Sequence, residues 1–178
     1  MNYSFARCNS RPRSTSTTAG RADGTFHTST IQIAVATQLA TVGGVTDPAV
    51  LAAAILHDTV EDTDTTPHEL ETLFGADIAG LVAEVTDDPL LTSAKRKLTQ
   101  EHEAALKSPR AKLIRLSDKT CNVHDIAHNP PPDWSSERRM EYFNWAERVV
   151  ANLRGIHAEL EAAFDAAVTE ARSVTAGQ

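Results

Sequence analysis

Four ionisable side chains close an otherwise apolar run, AVLAAAILHDTVED at residues 49–62, and no other feature restricts the fold as tightly. Asp47 followed by Pro48 predicts an N-cap with proline at the first helical position. The apolar residues after it recur with a helical period, and the alanine content favours helix. His57 and Asp58 therefore sit inside an apolar helix, where burying two ionisable groups is costly unless something compensates. A divalent cation compensates well, because neutral imidazole and carboxylate are both good ligands. Glu61 and Asp62 follow at i+4 from His57 and Asp58, on the same helix face. Without a cation, so many charges on neighbouring positions repel one another. The plainer alternative is a solvated helix end whose carboxylates leave the core.

The remaining chain reads as helix after helix. Thr66-Pro67 starts a second one, with Glu69 at capping-box spacing, and Gly75 closes it. ADIAGLVAEVT opens the next at a period of 3.6. Residues 93–107 read as a charged surface helix. Ser108-Pro109 repeats the cap-plus-proline signal before AKLIRLSDKTCNVHDIA. Prolines 130–132 break the chain, and two closing helices follow at about 136–153 and 156–172. No strand alternation or internal repeat of useful length is present, so the expected class is all-α. The domain is expected to span residues 33–172, with a disordered tail at 173–178. The first 32 residues, by contrast, are small, basic and polar, and read as an irregular segment.

The 178 residues suit one compact domain. A net charge of −7 argues against a surface that coats nucleic acid, while leaving room for a small anion held by a few local cations. Cys8 and Cys121 make no disulfide or metal framework. With no transmembrane span and no signal-peptide core, the expectation is a cytoplasmic protein with neither membrane nor nucleic-acid partner. Its oligomeric state is not legible in the sequence.

A second polar cluster, LIRLSDKTCNVHD, places Asp118 after buried positions and Asn122 one turn further along the same face. Asp118 fits a further metal ligand and Asn122 a contact to a base or ribose. Taken alone, Asp118 reads more readily as a surface carboxylate paired with Lys119 or Arg115, and Arg115 as charge on an exposed helix face.

Together these segments resemble the HD-domain hydrolases, and within them the small alarmone hydrolases of the MESH1-like group, which share the RelA/SpoT-type hydrolase domain. The match runs from VTDPAVLAAAILHDTVEDTDTT through ELETLFGADIAGLVAEVTDD and AKLIRLSDKTCNVHDI to WSSERRMEYFNWAERVVANL, about three quarters of the chain. The resemblance implies an HD-domain helical bundle that hydrolyses ppGpp, the alarmone of the stringent response, to release its 3′-pyrophosphate. It implies Mn2+ held by His57, Asp58 and Asp118, with Glu61 and Asp62 activating and orienting water. Asn122, Lys119 and Tyr142 would contact the nucleotide. The alternatives are a hydrolase of another phosphorylated nucleotide such as NADPH, or a non-catalytic nucleotide-binding HD module.

The resemblance stops at the N-terminus. The family begins with a basic helix and a PYINHP segment whose histidine is the first metal ligand. That register falls here on Ile31, 26 positions before His57, and Ile binds no metal. His27 is the nearby histidine and the candidate substitute ligand. One explanation is a frameshift over roughly residues 7–32, which would impair both metal and phosphate binding. The codons TTC CAT ACA TCA ACC ATC CAG encode residues 26–32 and, read from their third nucleotide, encode PYINHP. The coding DNA is expected to permit that second reading; codons that forbid it would sink the frameshift explanation.

Overall fold

The computed structural model describes residues 29–177, and every regular element among them is helical. The elements are α1 (Ser29–Thr41), α2 (Pro48–Leu56), α3 (Thr59–Asp62), α4 (Pro67–Phe74), α5 (Ala76–Val85), α6 (Ser93–Glu103), α7 (Pro109–His128), α8 (Ser136–Ala151) and α9 (Ala158–Ala176). A 3-10 turn at Ala104–Leu106 follows α6.

The helix starts follow the capping signals. The Asp47 side chain accepts from the Ala49 N–H at 2.9 Å and Pro48 opens α2. Thr66 and Glu69 close a reciprocal capping box at the head of α4. The Ser108 hydroxyl accepts from the Ala111 N–H at 3.2 Å, ahead of Pro109. Each cap satisfies amide groups that a helix leaves without partners in its first turn.

Two boundaries differ from the sequence expectation. Helix α1 starts at Ser29, inside the stretch read as irregular, because the buried row Ile31, Val35 and Leu39 carries the helical period back before residue 33. Helix α9 continues to Ala176, since Ala171 and Thr175 extend the buried row of Phe164 and Val168 beyond residue 172. The greater part of the N-terminal segment, His27 included, lies outside the described residues.

The long helix α7 is the axis of the bundle. It packs on α1, α2, α5, α8 and α9, and its burial extends round most of its circumference. Phe143 of α8, Phe164 of α9, Leu39 of α1 and Ile114 of α7 are fully enclosed in the shared core. After α1 the chain turns against α9 at Gly43. A β-carbon there would lie 2.8 Å from the Leu39 carbonyl oxygen and 3.1 Å from Leu160 Cδ1, so the turn requires glycine.

Truncating Phe164→Ala removes a large ring from this core and leaves a cavity. The expected cost is about 3–5 kcal/mol, measured as a lower urea midpoint at unchanged slope.

Candidate active site

The polar quartet lies where α2 gives way to α3. The sequence reading places His57 and Asp58 within one continuous helix; instead they form the turn between two. His57 Nδ1 bonds to the Ala54 carbonyl at 2.7 Å, the acceptor that an uninterrupted helix offers to the Asp58 N–H. Asp58 sits at φ −98° and ψ −1°, and its carbonyl accepts from the N–H groups of Glu61 and Asp62 at 3.0 and 2.9 Å.

Opposite this turn, α7 presents Arg115, Asp118, Lys119 and Asn122, spaced so that all four share one face. All four are buried. Charges removed from water need partners, and these have them. Asp118 accepts from Asn122 Nδ2 at 2.6 Å and from Lys119 Nζ at 3.2 Å. Burial works against its charge, yet Lys119, His57 and Arg115 hold its carboxyl far below the usual carboxylate range.

The chemistry converges on His57, whose ring is 2 % exposed. A carbonyl oxygen only accepts, so Nδ1 carries a proton and Nε2 faces away from Ala54. Nε2 stands 3.2 Å from Asp58 Oδ2 and 3.4 Å from Asp118 Oδ1, in a geometry that makes no regular hydrogen bond. A lone pair aimed at two carboxylates is unfavourable unless a positive charge lies between them. Burial opposes a charged ring, but Asp118 and Asp58 outweigh it and raise the imidazole to about 10. One imidazole nitrogen and two carboxylates around a site that demands positive charge form a donor set suited to a divalent cation. The residues present therefore fit a metal.

Above this cluster opens a polar cleft between the α2–α3 turn, α6, α7 and α8. His57 lies beneath its lining, while Asp58, Glu61 and Asp118 reach it. Glu61 accepts from the Asp87 N–H at 2.8 Å. Burial, with the nearby charges of Asp87 and Asp58, raises its carboxyl above the ordinary range against the pull of that N–H and Arg115. Asp62, expected beside Glu61, is exposed and does not line the cleft. Glu61 and Asp62 are consecutive residues of α3, so their side chains leave the helix about 100° apart and only Glu61 turns to the cleft.

The opposite wall is cationic and aromatic. Lys119 lies 4.7 Å over the Trp145 ring, and Tyr142 packs edge-on to Trp145 with ring centroids 5.2 Å apart. Burial, reinforced by Asp118, raises the Tyr142 phenol well above its usual value, so it remains a hydrogen-bond donor. Helix α6, read from sequence as a surface helix, contributes Arg96, Lys97 and Gln100 to the lining. The Trp145 indole donates to the Lys97 carbonyl at 3.1 Å and pins α6 to α8. Arg115, read as charge on an exposed face, is buried, and its Nη2 donates to Asp87 Oδ1 at 2.9 Å. Asp87 and the α6 cations are additions to the sequence-derived site. Their signal, the VTDD segment and the KRK run, carries no information about which cavity they face.

A family model for the HD domain matches residues 15–143. The chain belongs to the HD-domain family. The guanosine-3′,5′-bis(diphosphate) 3′-pyrophosphohydrolase MESH1 of Drosophila melanogaster is 51% identical over 133 residues, which cover 75% of this chain and 74% of that protein. The Homo sapiens protein of the same name is 50% identical over 74% of each chain. A solved structure, described as a metazoan ortholog of SpoT that hydrolyzes ppGpp, superposes with a TM-score of 0.76 at 49% identity, covering 78% of both chains. A Listeria monocytogenes structure at 22% identity and a TM-score of 0.65 shares the fold.

Within this HD domain, Ile31 occupies the register of the first metal histidine that the resemblance implies. It is an apolar core residue of α1, on a helix that packs against both α2 and α7. Gln38 of the same helix accepts from Cys121 Sγ at 3.0 Å. No described helix is long and apolar enough to cross a membrane.

Arg115→Met removes the cationic partner of Asp87 in a mostly buried pair and leaves that carboxylate only the Gln100 amide. We expect a loss of about 3 kcal/mol, read by chemical denaturation, where an exposed-face arginine would change stability by less than about 0.5 kcal/mol.

Proposed function

We propose that the chain is a metal-dependent ppGpp 3′-pyrophosphohydrolase acting in the cytoplasm, with Mn2+ as its metal. The observation that carries this reading is His57 Nε2 facing the carboxylates of Asp58 and Asp118 beneath a cleft lined by carboxylates, cations and aromatic rings. About 50% identity to curated hydrolases of that activity supports the substrate.

His57, Asp58 and Asp118 would hold the cation. When bound, it lowers the pKa of water and neutralises phosphate charge. The reaction adds water at the phosphorus attached to the ribose 3′ oxygen and breaks that P–O bond. Pyrophosphate leaves and the 3′ oxygen gains a proton, yielding GDP from ppGpp or GTP from pppGpp. Glu61 takes the proton from the attacking water; its raised carboxyl pKa brings it closer to the working pH of a general base. Lys119, Arg115 and the α6 cations Arg96 and Lys97 offset the charge of the two diphosphates. Asn122 orients Asp118 through its 2.6 Å bond and can meet the nucleotide from the same position. Tyr142 and Trp145 offer ring faces and edges to the base. His27, ahead of the described residues, is the candidate for the ligand that Ile31 cannot supply.

The decisive assay is pyrophosphate release from ppGpp by the purified chain, with and without Mn2+. We expect Mn2+-dependent release. Glu61→Gln should lower kcat about 10²–10⁴-fold with little change in KM. Asp118→Asn should also abolish the rise in melting temperature that Mn2+ gives the wild type. A folded chain that binds ppGpp but never releases pyrophosphate would make this a nucleotide-binding module instead.

A further inference from the structure

A second group of metal-ligating side chains lies outside the cleft. His124 and His128 stand one turn apart on α7, so both rings project from the same helix face. Their centroids are 4.4 Å apart. From α9, Glu170 reaches the same place, with its Oε1 3.1 Å from His128 Nε2. One ligand atom from each of the three residues lies within 4.8 Å of the others. None of the three lines the cleft above Asp118.

We propose that His124, His128 and Glu170 form a second metal site, selective for a borderline transition-metal cation of the zinc class. In a tetrahedral centre with metal–ligand bonds of about 2.0–2.1 Å, neighbouring ligand atoms stand about 3.3 Å apart. The His128–Glu170 separation is already close to that value, and His124 needs only a ring adjustment to join. Burial, together with the neighbouring His128, lowers the His124 pKa and favours the neutral ring that binds metal. Two imidazoles and one carboxylate leave the fourth position to water. This donor set favours Zn2+, Ni2+ or Cu2+ over the harder Mg2+ and Ca2+, which take oxygen ligands. The ligands sit on two rigid helices that pack closely together, so an ion here would staple α9 to the helix that carries Asp118. An interhelical ion pair between His128 and Glu170, with His124 merely stacked beside it, is the competing account.

Zn2+ bound per chain, measured by equilibrium dialysis, separates the two accounts. His124→Gln with His128→Asn should bind one Zn2+ fewer per chain than the wild type, with the same circular dichroism spectrum. Glu170→Gln, which keeps the side-chain size, should weaken the same Zn2+ about 10-fold or more. In the wild type, both histidine ring resonances should shift together as Zn2+ is added. Equal Zn2+ counts in the wild type and the double histidine variant, or ring resonances that ignore Zn2+, would overturn the site.

Discussion

The fold is organised around a buried electrostatic contact between the α2–α3 turn and one face of α7. His57 Nε2 meets the carboxylates of Asp58 and Asp118, and Asp118 is in turn held by Lys119 and Asn122. Hydrophobic burial alone would never place these groups together, because each loses its hydration on entering the interior. They are stable there only where opposite charges meet, as Lys119 meets Asp118, and where a positive charge lies between His57 Nε2 and the two carboxylates. That requirement explains why α7 lies at the centre of the bundle: it must be covered by apolar helices on one side and by its charge partners on the other.

The same arrangement divides the cleft by charge. Its acidic side collects Asp58, Glu61 and Asp118 near the imidazole, a place for a cation and a proton acceptor. The other side brings Lys119 and Lys97 toward the aromatic rings of α8, with Arg96 also in the lining. A polyanionic nucleotide requires both halves, one to activate water and the other to neutralise phosphates. The net charge of −7 would by itself suggest a protein that repels such a ligand. Local placement of a few cations in a restricted cleft outweighs that total.

Much of this was legible before any coordinates. Caps at Asp47, Thr66 and Ser108 marked helix starts because capping is local chemistry between residues two or three apart. HDTVED betrayed a site because ionisable groups at the end of an apolar run need a reason to be there. Where the reading erred, the cause was contact between residues far apart in sequence. Arg115 looks like surface charge until Asp87, 28 positions away, is seen to receive it. A polar helix such as α6 looks solvated until Trp145 anchors it over the cleft. Asp62 looks equivalent to Glu61 until the placement of α3 turns Glu61 to the cleft and leaves its neighbour, about 100° round the helix, in solvent. His124 and His128 stand at i, i+4 on α7, but Glu170 joins them only through the packing of α9 on α7.

The sequence by itself determined the helical class, most helix starts and the residue types capable of holding a cation, since periodicity, capping and ligand chemistry act over one or two turns. Only the tertiary structure decided which of those residues meet. Charge partners, cleft walls and the orientation of the His57 ring depend on how separate helices pack, and no local pattern encodes a distance between side chains of α2, α6, α7 and α8.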